Sequence, residues 1–271
     1  MHWVIQPFLH NMMIQLGIGV GISILFCFYT VRRKSLTLGG ALTASFVGLW
    51  VLWFAGARWL IPLFFFFITG TLLGHLSKDK SQTTDAKHGK ARDALQVLCN
   101  GGIYAVLATF AQGAAREMML SLMLVSMAIC TADTWASEIG IYFRWKTYDV
   151  LRFRKTPVGL SGGVSVPGTL GGLLGALAMA ALGNALLPDF LKPDLLLFIT
   201  ISGFTGMLLD SIMGASLQAR YRNVQTEMLS DSTDKNTVLQ SGWRWITNDA
   251  VNFWSNAVIT AGMALYLHLV D

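Results

Sequence analysis

The run MMLSLMLVSMAICTADTWASEIGIYF (118–143) decides the fold. Its 26 residues hold no lysine or arginine, and Arg116 and Arg144 bracket it. A helix needs roughly 17–25 predominantly apolar residues to cross ~30 Å of hydrocarbon, so this run reads as a transmembrane helix. Seven more runs of the same kind lie outward from it, at 13–30, 38–55, 59–76, 95–111, 169–187, 195–217 and 251–270. The run 95–111 is the most interrupted, by Asn100, Gly101 and Gly102. Composition agrees. Of the 271 residues 54% are hydrophobic and 13% charged, against about 25% charged in a soluble domain. The expectation is an all-α polytopic membrane protein of eight transmembrane helices, a single transmembrane domain over 1–271.

Charge placement fixes orientation. The first, third, fifth and seventh connections carry 3, 5, 5 and 4 basic residues, and the second, fourth and sixth carry one each. By the positive-inside rule the rich connections are cytoplasmic and both termini extracytoplasmic, as in a multi-pass protein of the cell (inner or plasma) membrane. The net charge of +5 resides between apolar runs. That placement suits anionic headgroups and phosphates and gives no reason to expect nucleic acid. The first apolar run lacks a basic n-region and is followed by Arg32, Arg33 and Lys34, so it reads as a span and not as a signal peptide. Cys27, Cys99 and Cys130 lie within apolar runs without metal-ligand spacing and read as small core residues.

Three short strings recur in order. TLGG occurs at 37–40 and 169–172, TGTLL at 69–73 answers TGMLL at 205–209, and Asp93-Ala94 with Asn100 answers Asp249-Ala250 with Asn256. They suggest a 4+4 parallel repeat with halves 1–116 and 117–271, related by an axis along the membrane normal. The alternative is chance likeness between glycine-rich packing faces.

The polar residues inside the spans carry the chemistry. TADTWASEIG (131–140) places Asp133 and Glu138 in the cytoplasmic third of the fifth span. A carboxylate there is costly unless it faces protein or water. On an ideal helix the two lie roughly 140° apart, so one ligand meets both only if the helix unwinds or Glu138 reaches around; a polar clamp between helices is the alternative. Asp210 sits near the cytoplasmic end of the seventh span, and Asp249, Asn252 and Asn256 enter the eighth from the same side. Asn100 stands at similar depth in the fourth. Hard oxygen ligands of this kind suit Mg²⁺, which keeps waters and bridges phosphates. Interhelical hydrogen bonding is the other use of the asparagines.

Lys155 and the loop GLSGGVSVPGTLGG (159–172) precede the sixth span. Glycine-rich backbone and a helix N-terminus can turn N–H groups toward phosphate. Ser161, Gly162, Gly163, Ser165 and Thr169 are the candidate contacts; a loop of packing glycines is the alternative. Before the fourth span, Arg92 is the basic residue closest to the membrane and the candidate for a lipid phosphate, with Asn100 beside it.

ARDALQVLCNGG (91–102), TADTWASEIG, the glycine loop, LDSIMGASLQ (209–218) and NDAVNF (248–253) resemble, in order, the motifs of an integral membrane family. That family, once catalogued as a domain of unknown function, includes the plant phytyl-phosphate kinase. The resemblance implies Mg²⁺-dependent transfer of a γ-phosphate from CTP or ATP to a prenyl monophosphate lipid. It would assign Asp133, Glu138 and Asp210 to the metal and catalysis, with Asp249 and Asn252 as further metal ligands. It would give the glycine loop and Lys155 to the nucleotide, and Arg92 and Asn100 to the lipid phosphate. A polyprenol kinase, a lipid-phosphate cytidylyltransferase and a lipid or anion transporter are the alternatives.

Overall fold

A computed structural model describes residues 2–78, 89–186, 193–233 and 235–270, with side chains from Met13 onward in the first helix. Lys80, Lys87, His88 and Lys192 lie outside the described residues.

Eight α-helices account for most of the described chain: α1 (His2–Arg32), α2 (Leu38–Phe54), α3 (Leu60–Lys78), α4 (Ala94–Phe110), α5 (Arg116–Phe143), α6 (Val166–Leu186), α7 (Pro193–Ser216) and α8 (Asn248–Val270). Their starts follow local capping chemistry. The Thr37 hydroxyl accepts the Gly40 N–H at 3.0 Å and opens α2. Asp93 opens α4 in a capping box: its Oδ1 accepts the Gln96 N–H at 2.9 Å, and Gln96 Oε1 accepts the Asp93 N–H at 3.1 Å. Arg144, with φ of 50°, ends α5 in the left-handed region.

α5 is the axis of the bundle. α3, α4, α6, α7 and α8 all pack on it, whereas α1 rests mainly on α2 and sets Phe26 edge-on to Phe64 and Phe67 of α3. Met123, Leu124, Met127 and Ile129 of α5 form the core with Tyr104, Met179 and Ile199. The Tyr104 hydroxyl donates to the Trp59 carbonyl at 2.7 Å, so this buried phenol is satisfied.

α6 lies against α5 along a stripe of glycines. A Cβ on Gly168 would come within 2.8 Å of the Ala136 carbonyl oxygen, and one on Gly175 within 3.0 Å of the Thr131 carbonyl oxygen. With little hydrophobic drive between helices in lipid, such close backbone approach supplies the packing. This corrects part of the glycine-loop reading. α6 begins at Val166, so Gly168, Thr169, Gly171 and Gly172 are helical and only 159–165 stay outside the helix.

The connections sort by pole. Parts of the first, third, fifth and seventh line one cavity, while Gly56–Arg58 and Gly113–Arg116 line a second hollow. Arg58 Nη1 donates to the Leu186 carbonyl at 3.3 Å, which brings the C-terminal end of α6 to that second end. The four basic-rich connections therefore share a pole, and successive helices run from one pole to the other. Among the described residues, five helical stretches are long and apolar enough to cross a bilayer, and α2 and α4 are shorter apolar helices. At ~1.5 Å per residue, the 17 residues of α2 or α4 still span about 26 Å.

Two features depart from the sequence reading. The connections carry small antiparallel sheets: β1 (Tyr148–Asp149) pairs with β2 (Gly163–Val164), and β3 (Arg220–Asn223) pairs with both β4 (Leu229–Ser230) and β5 (Thr237–Ser241). The neighbour relations of a 4+4 repeat do not recur either. α2 packs chiefly on α4, but its counterpart α6 packs on α5 and α7. Thr37 caps a helix, whereas Thr169, in the matching string, lies one turn inside α6.

Candidate functional site

The cavity at the basic pole has a volume of about 630 Å³. α5 contributes Asp133, Ser137 and Glu138 to its wall, and α7 contributes Asp210. α4 adds Gln96 and Asn100, and α8 adds Asn248 and Asn252. Around these the connections set Arg33, Lys34, Lys90 and Arg92, with Lys78 from the end of α3. Most of the acids therefore come from helices, with Asp231 from the seventh connection, and most of the bases come from the connections that meet there.

The carboxylates are held by specific donors. Ser255 Oγ donates to Asp210 Oδ2 at 3.0 Å. With its amide nitrogen turned toward acceptors, Asn252 donates to the same oxygen at 3.0 Å and to the Asn248 carbonyl at 3.1 Å. The Ser77 hydroxyl of α3 donates to Glu138 Oε2. Gly74 lies beside that carboxylate, where a Cβ would stand in ordinary contact, 3.5 Å from Glu138 Oε1. α5 does not unwind: it stays helical through Phe143, and Glu138 turns to Ser77 of α3 while Asp133 lines the cavity with Asp210. Among the described residues, no three His, Cys, Asp or Glu side chains come close enough to hold a metal ion together. A preassembled three-carboxylate site is not present; a pair of carboxylates with amide oxygens and water is the set this geometry offers to Mg²⁺.

Arg92 reaches into the cavity from the start of α4. Its carbonyl accepts the Thr37 N–H at 3.0 Å and its N–H donates to the Ser35 carbonyl at 3.1 Å, which ties the first connection to the third. Gly40 permits this contact, for a Cβ there would strike the Arg92 carbonyl oxygen. The guanidinium lies 5.7 Å from the Phe66 ring centre and against Gly70, where a Cβ would sit 2.9 Å from Nη2. Nη1 is buried and has no hydrogen-bond partner among the described residues. A buried guanidinium N–H left unpaired is costly and ready to take an anionic oxygen.

The glycine loop lines the cavity but uses its own donors in folding. The Ser161 N–H donates to Asp231 Oδ2 at 2.8 Å, the Ser161 hydroxyl to Gln218 at 2.7 Å, and the Gly163 N–H to the Leu160 carbonyl at 2.9 Å. Ser165 Oγ accepts the Gly168 N–H at 3.3 Å and caps α6. Gly162, at φ of 74°, has the side a Cβ would occupy pressed on Ala215 of α7, 2.5 Å from its nitrogen. These residues form a wall braced against α7.

Two expected site residues stand elsewhere. Lys155 is exposed and does not line the cavity; it lies at the β1–β2 hairpin, in a bridge with Tyr148. Asp249 is buried behind the wall, also off the cavity. Its neighbours Asn248 and Asn252 face the cavity instead, four residues apart on one stripe. Asn256 clamps helices: its amide donates to the Ser126 carbonyl at 3.2 Å and to Cys130 Sγ at 3.1 Å. Asn248, Asp231 and Gln96 were missed in the sequence. Only Asn248 carried a signal, through its i, i+4 relation to Asn252.

Comparison with known proteins fits this architecture. Residues 21–260 match the model of an integral membrane protein family, DUF92. The chain is 31% identical over 265 residues to Protein PGR of Arabidopsis thaliana, covering 86% of this chain and 90% of that one. It is 31% identical to the uncharacterized membrane protein MJ0933 of Methanocaldococcus jannaschii, covering 77% and 85%. Protein VTE6, chloroplastic, of Arabidopsis thaliana is 33% identical over 142 residues, 52% of this chain and 36% of that one. No solved structure matches. The chain is a multi-pass integral membrane protein and belongs to the DUF92 family.

Proposed function

We propose that the chain is a membrane-embedded isoprenoid monophosphate kinase. It spans the bilayer eight times with both termini outside, and its cavity opens at the cytoplasmic face. The observation that carries the reading is the charge order within the cavity: Asp133 and Asp210 on helices, and Arg33, Lys34, Lys90 and Arg92 on the connections around them. A polyphosphate head needs both kinds of group, cations for its oxygens and carboxylates for the Mg²⁺ it brings.

In this reading an oxygen of the prenyl phosphate attacks the γ-phosphorus of a nucleoside triphosphate such as CTP or ATP. The bond to the β-phosphate oxygen breaks, and the nucleoside diphosphate leaves. The acceptor's second pKa is about 6, so it needs little help from a base near neutrality. Arg92 Nη1 takes the acceptor phosphate, with Asn100 beside it. Asp133 and Asp210 would hold Mg²⁺, with Asn252 and Glu138 nearby to orient them, and the ion would supply neutralisation of phosphate charge. The glycine loop contributes shape and leaves phosphate contact to the basic side chains. VTE6 supports the reading through the family resemblance, over half of this chain.

The test is purified protein in nanodiscs with Mg²⁺, labelled CTP or ATP, and a panel of prenyl monophosphates. Labelled prenyl diphosphate is the expected product, absent with Arg92→Ala. Failure of the wild-type protein to bind either nucleotide overturns the kinase reading in favour of a lipid-phosphate carrier.

A further inference from the structure

We propose that the hairpin between α5 and α6 is a binding surface for anionic phospholipid headgroups, with Phe153 inserted among them as an apolar anchor. Residues 143–158 contain five basic residues, Arg144, Lys146, Arg152, Arg154 and Lys155, and a single acid, Asp149. All five bases are exposed. The acid is buried and paired, with Arg220 Nη1 2.8 Å from its Oδ2. The outer surface of the hairpin is therefore uniformly cationic.

It is also apolar in a way that water does not reward. Phe153 is 83% exposed at the tip, and Phe143 and Trp145 are 59% and 56% exposed at the base. Phe153 is held at φ of 52°, a conformation that is an outlier for a bulky residue. The turn that imposes it is well built. The Phe153 N–H donates to the Asp149 carbonyl at 2.9 Å, and Asp149 Oδ1 accepts the N–H groups of Leu151 and Arg152 at 3.1 and 2.9 Å. The fold thus fixes an aromatic ring outward, against both its backbone preference and the hydrophobic effect. Such outliers point to function when the surroundings enforce them.

The occupant follows from position and charge. β1 starts five residues after α5 ends, and β2 stops two residues before α6 begins, so the hairpin sits beside the ends of two spanning helices. Aromatic rings favour that interfacial depth, and basic residues there favour anionic lipid. Lys155, displaced from the cavity, belongs to this surface.

The experiment uses Phe153→Cys in a chain with Cys27, Cys99 and Cys130 replaced by alanine, labelled with an environment-sensitive fluorophore and placed in nanodiscs. A label at exposed Gln225, in the β3–β4 turn, serves as control. Position 153 is expected to shift to the blue and to be quenched by headgroup-region spin-labelled lipid, more strongly when a third of the lipid is anionic. Gln225 should do neither. The combined Arg152→Gln, Arg154→Gln and Lys155→Gln variant should retain less anionic lipid in native mass spectrometry, by about tenfold or more. A label at 153 that stays water-exposed in every bilayer overturns the proposal and leaves the basic tip to a soluble acidic partner. Unchanged lipid retention in the triple variant overturns it as well.

Discussion

α1 and α5 are both long apolar helices, and they occupy opposite environments. The most apolar part of α1, within Met13–Arg32, is the more hydrophobic and almost wholly exposed; that of α5 is less hydrophobic and mostly buried. The less hydrophobic helix is the interior one. In water the ranking would be reversed. In lipid, apolar side chains gain little by leaving the bilayer, so the centre goes to the helix whose serines, threonines and carboxylates need protein partners. The difference predicts where substitutions hurt.

The largest expected effect tests the glycine seam. Gly175→Leu forces a side chain into the Thr131 carbonyl and the Trp135 ring, at 3.0 and 3.1 Å from the first carbon alone. It should cost more than about 3 kcal/mol and collapse the yield of monodisperse protein. Gly17→Leu on α1 meets nothing within 4 Å and should leave the melting temperature in detergent unchanged. Equal damage at both sites would break the contrast.

Next comes chemistry. Asp133→Asn on α5 keeps volume and removes charge from the cavity, so the proposed phosphoryl transfer should fall by at least about a hundredfold with Mg²⁺ saturating. The melting temperature should hold. Near-normal turnover would remove Asp133 from the metal. A smaller effect sharpens the role of α5 as a polar hub. Asn256→Ala strips hydrogen bonds from Ser126, Cys130 and Thr260 and should cost about 1 kcal/mol by reversible unfolding.

The smallest effect is local and lies outside the helices. Burial works to raise the Asp149 carboxyl, but the Arg220 hydrogen bond and the Arg152 and Leu151 N–H groups outweigh it and hold the group below the ordinary carboxylate range. A depressed folded pKa gives stability that is complete above the unfolded value and lost as pH falls through the folded one. Hydrogen exchange in the hairpin should therefore quicken only below that range. Asp149→Asn should remove the pH dependence.

Much of this was legible in the sequence because lipid imposes simple rules. Length found the helices, and the alternation of lysine and arginine found the pole where the cavity forms. TADTWASEIG marked the turns of α5 that line the cavity, since carboxylates in a span must face something polar. The misses have physical causes. Strands of two residues, such as β1 and β2, are too short to show alternation. Gly168 and Gly171 read equally well as loop or as seam until their neighbour is known. Asp249 and Asn248 are adjacent, and a register of one residue decides which faces the cavity. Lys155 looked like a phosphate ligand by proximity along the chain, but the turn at Phe153 carries it outward.

The central place of α5 has a consequence for synthesis. Ribosomes deliver α5 before α6, α7 and α8 exist, yet α6 and α7 bury much of its surface and Asn256 of α8 covers its Ser126–Cys130 face. For that interval Asp133 and Glu138 have only α3 and α4 to turn to, while the seam that will receive Gly168 and Gly175 stands open. An intermediate of five helices should therefore dwell at the membrane's insertion machinery, and release should wait for α6. Chains truncated after α5 are the natural substrates for membrane quality control, and those truncated after α7 should largely escape it.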